Sequence, residues 1–497
     1  MNKTTIPRKN TIWVGADSGP NPLQTARDSA ISGDTIIVIP GTYYANDLLK
    51  DGVNWHFQNG AIVINSLSKL KTIAEDDSTY YPGLFDDNGD AITSTITGDG
   101  TFITDLADTA WRYTEGDGWF FTFPLPIETA VSILRLNNSG SNVSFSFANG
   151  YYRGFTDGQD SFLFQIVNCE KCILNFDTIG TDTNTSHTSS VVPVSPGDAS
   201  TPAGTLDYAG GVYWVNGDLQ VNGRSIRTGY SAVWAQGIDG TSAATNCWVN
   251  VPLLQAHVYA AVYQGGDAPL TWKLWITAQE IKAESQFGTD HFDDAVRIFG
   301  SGKVYISSEK IGAPAGVGVS IKGTGTTTVE AWITAQKISA GVLSSGRVVE
   351  VLPTSGSPSV TAYFNVLHYE EASSSAVSTP KAAIGVTGTG AKVHIKGGVL
   401  TTASANAQGV THTSGSLFLN NLRIVTNATN DADNVPITVA GSGLVINGCT
   451  LVPPALAPSI SGAGVVKVYA DSFTNLASTG VTFAAGIGTL IVDTDVT

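Results

Sequence analysis

Charged residues make up only 14% of this 497-residue chain, against about 25% in an ordinary domain. The charge that is present leans acidic, with 42 Asp and Glu against 26 Lys and Arg, a formal −16. No stretch gathers Lys and Arg into a cluster. A nucleic-acid surface needs a basic stripe to neutralise phosphates, so nucleic acid is excluded as a partner. An acidic surface also disfavours anionic membranes. Cysteine is scarce, at four residues, which implies no disulfide framework. Cys169 and Cys172 form a C-x-x-C, but no second pair and no spaced histidines complete a zinc tetrahedron. We read them as small side chains flanking a turn, and Cys247 and Cys449 as core residues. No stretch approaches the roughly 18 continuous apolar residues of a membrane span. The opening MNKTTIPRKNTIWVGADSG has basic residues but no apolar segment or cleavage site. Synthesis and folding in a cytosol, without export, is the expectation. No Gly-rich phosphate loop, Ser-His-Asp order or metal-binding His spacing is found, so neither a cofactor nor a metal is expected.

What the chain does contain is glycine, 54 residues, and enough apolar side chains, 42%, to fill a core. From about residue 231 one phrase recurs: an apolar pair, a tight Gly turn and an alternating strand. It reads AVWAQG (232–237), AVYQGG (261–266), AVRIFGSGKVYI (295–306), GVSIKGTG (318–325), AIGVTGTGAKVHI (383–395), ITVAGSGLVI (437–446) and ISGAGVVKV (460–468). The equivalent apolar positions are Val233, Val262, Val296, Val319, Val349, Ile384, Val410, Ile437, Ile460 and Val481. A repeat of this length made of strands and turns, with no helical stretch between, predicts a β-solenoid whose coils stack on their neighbours.

The first coils are less periodic. TIWV (11–14) reads as a strand, and Leu23 to Ala30 as two helical turns with Leu23, Ala26 and Ala30 on one face. GDTIIVIPGTYY (33–44) and DGVNWHFQNGAIVI (51–64) supply short strands divided by Pro-Gly and Asn-Gly turns. This succession resembles the N-terminal coils of right-handed parallel β-helix proteins of the pectin-lyase-like superfamily, among them polysaccharide lyases, polygalacturonases and bacteriophage tailspikes. The resemblance implies an all-β fold: a right-handed parallel β-helix, a single-stranded solenoid with a short N-terminal capping helix and lateral loop excursions. The organisation expected is a cap and first coils over 1–64, irregular coils with excursions over 65–210, and regular coils over 211–497. WRYTEGDGWFFTFPLP (111–126) and the Ser/Thr/Pro/Gly-rich 181–210 are the excursions.

Strand alternation sorts the side chains. LWITAQEI (274–281), YISSEKI (305–311) and AWITAQKI (331–338) occupy one slot in successive coils. Their outward residues Trp275, Tyr305 and Trp332 are expected to form an aromatic ladder. On the neighbouring strand Trp234, Tyr263 and Arg297 point outward. Two such rows suit a sugar chain, whose ring faces stack on aromatics, and these six residues are the candidate glycan contacts. Ladders of this kind also stack simply for stability. Candidate catalytic carboxylates are Asp293, Asp294 and Glu309. The first two lie in TDHFDDAVR, with Asp290 and His291. Glycoside hydrolysis needs a carboxylate pair, but DDAVR reads better as a solvated turn. Glu309 reads better as one rung of a Gln279–Glu309–Gln336 ladder. The Gly-His-Gly and Arg-x-Lys of a polygalacturonase-like site are missing.

The functional expectation is a phage virion tail appendage, a tailspike, fibre or baseplate-associated protein, that contacts host surface glycan. A polysaccharide lyase or glycoside hydrolase on a β-helix and a bacterial surface adhesin remain alternatives. Expected partners are other virion tail proteins and host surface polysaccharide. The final GIGTLIVDTDVT reads as an uncapped coil strand, which predicts a homo-oligomer or docking onto a larger assembly. The resemblance implies a trimer.

Overall fold

The computed structural model describes residues 10–19, 21–66, 83–105, 132–153, 162–181, 210–228, 231–237, 245–256, 260–266, 271–283, 294–314, 316–341, 347–353, 355–356, 358–372, 381–403, 407–426, 435–453, 460–469, 472–473, 478–479 and 482–484. The excursion at 111–126, nearly all of 181–210, Asp290, His291, Asp293, Val481 and the closing GIGTLIVDTDVT lie outside these residues. Two compact units are present: residues 1–234 with 243–253, and residues 235–242 with 254–497.

In the first unit, strand Thr11–Val14 pairs in parallel with Thr35–Val38, which pairs with Asn54–Phe57, which pairs with Thr93–Gly98. The series continues through Asn142–Arg153, Lys171–Thr181, Asp218–Asn222 and Asn246–Asn250. A second parallel sheet is built from Phe85–Asp86, Leu134–Asn137, Phe162–Asn168 and Gly210–Trp214. Parallel neighbours need a long crossover connection, and here the rest of each coil supplies it. The helix spans Pro22–Ser29, with Pro22 at its first turn and Leu23 and Ala26 buried. Ala30 is buried as well. Its last carbonyls have no partner inside the helix. Lys50 supplies one, with Nζ donating to the carbonyls of Arg27, Asp28 and Ala30 at 3.0, 3.0 and 2.7 Å. A cation at this end also meets the negative pole of the helix dipole.

In the second unit, Lys273–Ala283, Gly302–Ala313, Thr328–Ala340 and Ser359–Glu371 pair in parallel, one per coil. Each holds a corner. Residues 279–280, 309–310, 336–337 and 367–368 point outward in succession, so the alternation slips phase there. Later coils divide at that corner into Ala391–Lys396 with Val399–Thr402, Ser416–Asn420 with Arg423–Val425, and Ser442–Asn447 with Thr450–Val452. Gly398 sits in the first of these corners at φ +92°, and a Cβ there would strike the carbonyl oxygen of Val366 in the coil before. The core is a set of apolar columns. One runs Ile276, Ile306, Ile333, Phe364, Ile395, Leu419, Ile446 and Val468, every member buried.

A second sheet of this unit consists of short strands. Its register runs Val262, Val296, Val319, Val349, Ile384, Val410, Ile437 and Ile460, the succession expected from the repeat. The next member differs: Ile460 faces Ser478 rather than Val481. The last coil is shorter than the spacing of apolar residues suggested, with Ser478 at the paired position. The described chain is therefore nearly all β, built coil on coil from parallel strands, with one helix among the described residues.

Candidate functional site

The expected aromatic ladder is present and longer than expected. Trp275 faces Tyr305 and Tyr305 faces Trp332 in strand register, and the column continues through Tyr363, His394 and Phe418. Successive ring centroids are 5.4, 4.6, 5.6, 4.8 and 4.5 Å apart, with planes within 12° of parallel. These spacings straddle the roughly 4.7–4.9 Å between adjacent strands, so backbone pairing sets the stack. All six rings are half-buried. AYFNV (362–366), KVHIK (392–396) and SLFLN (416–420) hold the three unforeseen rungs. They lack the WITAQ echo, but each has one ring between two apolar core residues, and that alternation was the available signal.

This geometry changes what the ladder offers a ligand. Along the column each ring face is turned to the next ring, so a sugar cannot stack there. The edges remain. An aromatic edge carries positive potential and suits oxygen atoms rather than C–H groups. Beside the edges run rows of polar side chains: Thr277, Ser307, Thr334, Asn365, Lys396 and Asn420 on one flank, mostly exposed, and Lys273, Lys303, Glu330, Thr361, Lys392 and Ser416 on the other. Lys273 places Nζ 5.7 Å from the Trp275 ring centre. Lys303 and Glu330 pair across coils at 2.8 Å. His394 Nε2 is buried without a hydrogen-bond partner among the described residues. Burial, then the neighbouring Lys392, pushes its pKa down.

The second expected row fares differently. Tyr263 and Arg297 are in register, and Trp234, in the first unit, is half-buried with its ring edge-on to Phe162. Arg297 is not the exposed contact anticipated: it is 6% exposed. Strands Val296–Ile298, Val319–Ile321 and Val349–Val351 are buried on both faces, so an outward direction does not lead to solvent. Asp294 is likewise no solvated turn residue, at 5% exposed. Burial pushes its carboxyl up to about 6, with Arg297 and Lys322 opposing. Its Oδ1 accepts from the Val317 N–H at 3.3 Å, while Oδ2 has no partner among the described residues. Glu350, in the same row as Arg297, binds Lys322 at 3.0 Å and Arg347 at 2.6 Å.

Glu309 is exposed at a corner of the long-strand sheet, in line with Gln279 and Gln336. It lies on a different sheet from the strand that Asp294 precedes, so the structure does not bring these carboxylates together on one face. Cys169, Cys172, Cys247 and Cys449 are buried thiols outside any disulfide. Burial holds the Cys169 thiol up at about 12, which leaves no reactive thiolate. Among the described residues no cluster of His, Cys, Asp and Glu is placed to hold a metal. The chain matches no family model, no curated protein and no solved structure.

Proposed function

We propose that the chain is a right-handed parallel β-helix of the pectin-lyase-like kind, and that it serves as a bacteriophage tail appendage binding a host surface glycan along its outer wall. The observation that carries the reading is the six-ring column Trp275 to Phe418, edged by rows of hydroxyl, amide and ammonium groups that repeat coil by coil. A linear glycan is itself a repeating array of oxygens, and a periodic surface meets it with the same contact many times over. Binding is favoured over cleavage. Hydrolysis needs two carboxylates flanking one sugar bond, whereas Asp294 is enclosed and Glu309 stands on another sheet. The tail-appendage assignment, the homo-oligomer and the partners on a virion rest on the resemblance of the first coils.

The test is adsorption of the purified chain to intact bacterial cells before and after periodate oxidation of their surface sugars. Oxidation is expected to abolish binding, and protease treatment of the cells to leave it unchanged. A Thr334→Ala/Asn365→Ala variant, altered at exposed rungs beside the stack, is expected to bind less with an unaltered melting temperature. Binding that survives periodate and disappears with protease would overturn the reading.

A further inference from the structure

Charge is distributed unevenly along the outer face that carries the ladder. In the earlier coils two cations pair with carboxylates one coil away: Lys303 beside the ladder with Glu330 at 2.8 Å, and Lys337 at the corner with Glu370 at 2.5 Å, while Lys273 faces Lys303. In the later coils this pattern stops. Lys392 lies between Thr361 and Ser416, Lys396 between Asn365 and Asn420, and Lys467 between Val445 and Ala484, while Arg423, past the corner, lies between Val399 and Thr450. All four cations are exposed, and no carboxylate is within ion-pair reach of any of them among the described residues. The outward strand positions from 391 to 469 hold no Asp or Glu at all. In a chain with a formal charge of −16, such a patch is where a negatively charged ligand would be drawn.

We infer that this patch is an anion-selective subsite and that the glycan it takes is an acidic polysaccharide, held with carboxylates against Lys392 and Lys396 and with hydroxyls against the neutral rungs between them. The inference rests on the glycan reading above and names the ligand class. Lys392 and Lys396 flank His394 on one strand, about 13 Å apart at the usual strand rise. Thr361, Asn365, Ser416 and Asn420 fill the spaces around them. That layout fits a polymer with sparse charge and many hydroxyls. A nucleic acid carries a charge on every nucleotide and calls for a denser row of Lys and Arg. The electropositive edges of Tyr363 and Phe418 add to the preference for oxygen anions.

The experiment is an array of neutral and of uronate- or sialate-bearing bacterial surface polysaccharides, probed with the full chain at low and high salt, with single- and double-stranded DNA as competitors. Acidic polymers are expected to dominate the bound set and to be released by salt. Lys392→Gln/Lys396→Gln is expected to weaken binding about tenfold, as for two screened charge contacts, with an unchanged melting temperature. Equal binding of neutral and acidic polymers, or an unaffected Lys variant, overturns the inference and leaves the glycan reading standing. DNA bound more tightly than any polysaccharide overturns it in favour of nucleic acid. No polysaccharide bound at all removes both.

Discussion

The two units gather their touching aromatic rings in different places. In the first the chain of touching rings is interior: Trp55, Phe57, Phe85, Phe102, Phe145 and Phe164 are fully buried. In the second, Trp272, Phe364 and Tyr369 are buried, but the continuous stack of rings stands outside a core made mostly of Val, Ile, Leu and Ala. The geometry differs accordingly. Interior rings meet at every inclination, from 10° for Trp55 with Phe57 to 89° for Phe57 with Phe85. Exterior rings lie within 12° of parallel. Inside, rings approach from both sheets and their inclinations vary; pairs such as Phe57 with Phe85 settle edge to face, as their quadrupoles prefer. Outside, only strand neighbours are available and the register stacks them face to face. Position relative to the sheet, rather than ring type, decides the arrangement.

The largest expected effect is on the second unit's core. Val296→Asp puts an unpaired carboxylate into a fully buried column, at a cost beyond the stability of most domains. Insoluble or unfolded protein is expected by circular dichroism, and a soluble, cooperatively melting variant would break the register. Next comes the direct contrast. Phe145→Ala empties a buried site and is expected to cost about 3–5 kcal/mol. Trp332→Ala removes two stacked contacts and is expected to cost about 1–3 kcal/mol at 0.5–1.5 per pair. Denaturant titration of both variants checks the order, and a reversal would mean that the outer ladder, not the inner chain, holds its unit together.

Asp294 sharpens the comparison through pH. Its folded pKa of about 6 lies above its ordinary 3.8, so the folded state favours the protonated form. That contribution is complete below pH about 4 and is lost as pH rises through 6. Asp294→Asn keeps an oxygen for the Val317 N–H. It is expected to stabilise the protein by up to about 3 kcal/mol at pH 8 and to leave it unchanged near pH 4. Melting curves of both proteins across that range provide the measurement. The smallest effect is expected at Tyr369. Its ring fills a fully buried slot and its hydroxyl has no partner among the described residues. Tyr369→Phe removes a desolvated polar group at nearly constant volume, and a gain of about 1 kcal/mol is expected. A loss of stability would reveal a partner for the hydroxyl.

Much of the second unit could be read directly from residues. The column from Val262 to Ile460 follows from the apolar slot before each Gly turn, and Trp275, Tyr305 and Trp332 follow from the WITAQ echo. Tyr363, His394 and Phe418 did not, because their coils share the alternation but not the phrase. Ser478 escaped notice because a small polar residue gives no apolar signal. Arg297 and Asp294 were misjudged for another reason: alternation tells which way a side chain points, not whether that face is covered.

The chain's own order of residues determined that it folds as strands and tight turns, since a period-two apolar pattern broken by Gly admits little else. It also determined which residue of each strand meets the core. Tertiary structure alone decided that the ladder's ring faces are spent on one another, that three strands of the short-strand sheet are buried on both sides, and that Lys392 and Lys396 lack the carboxylate partners Lys303 and Lys337 have. Each depends on which residue lies one coil away, some 23 to 35 positions along the chain, and only the register of stacked strands makes that neighbour known.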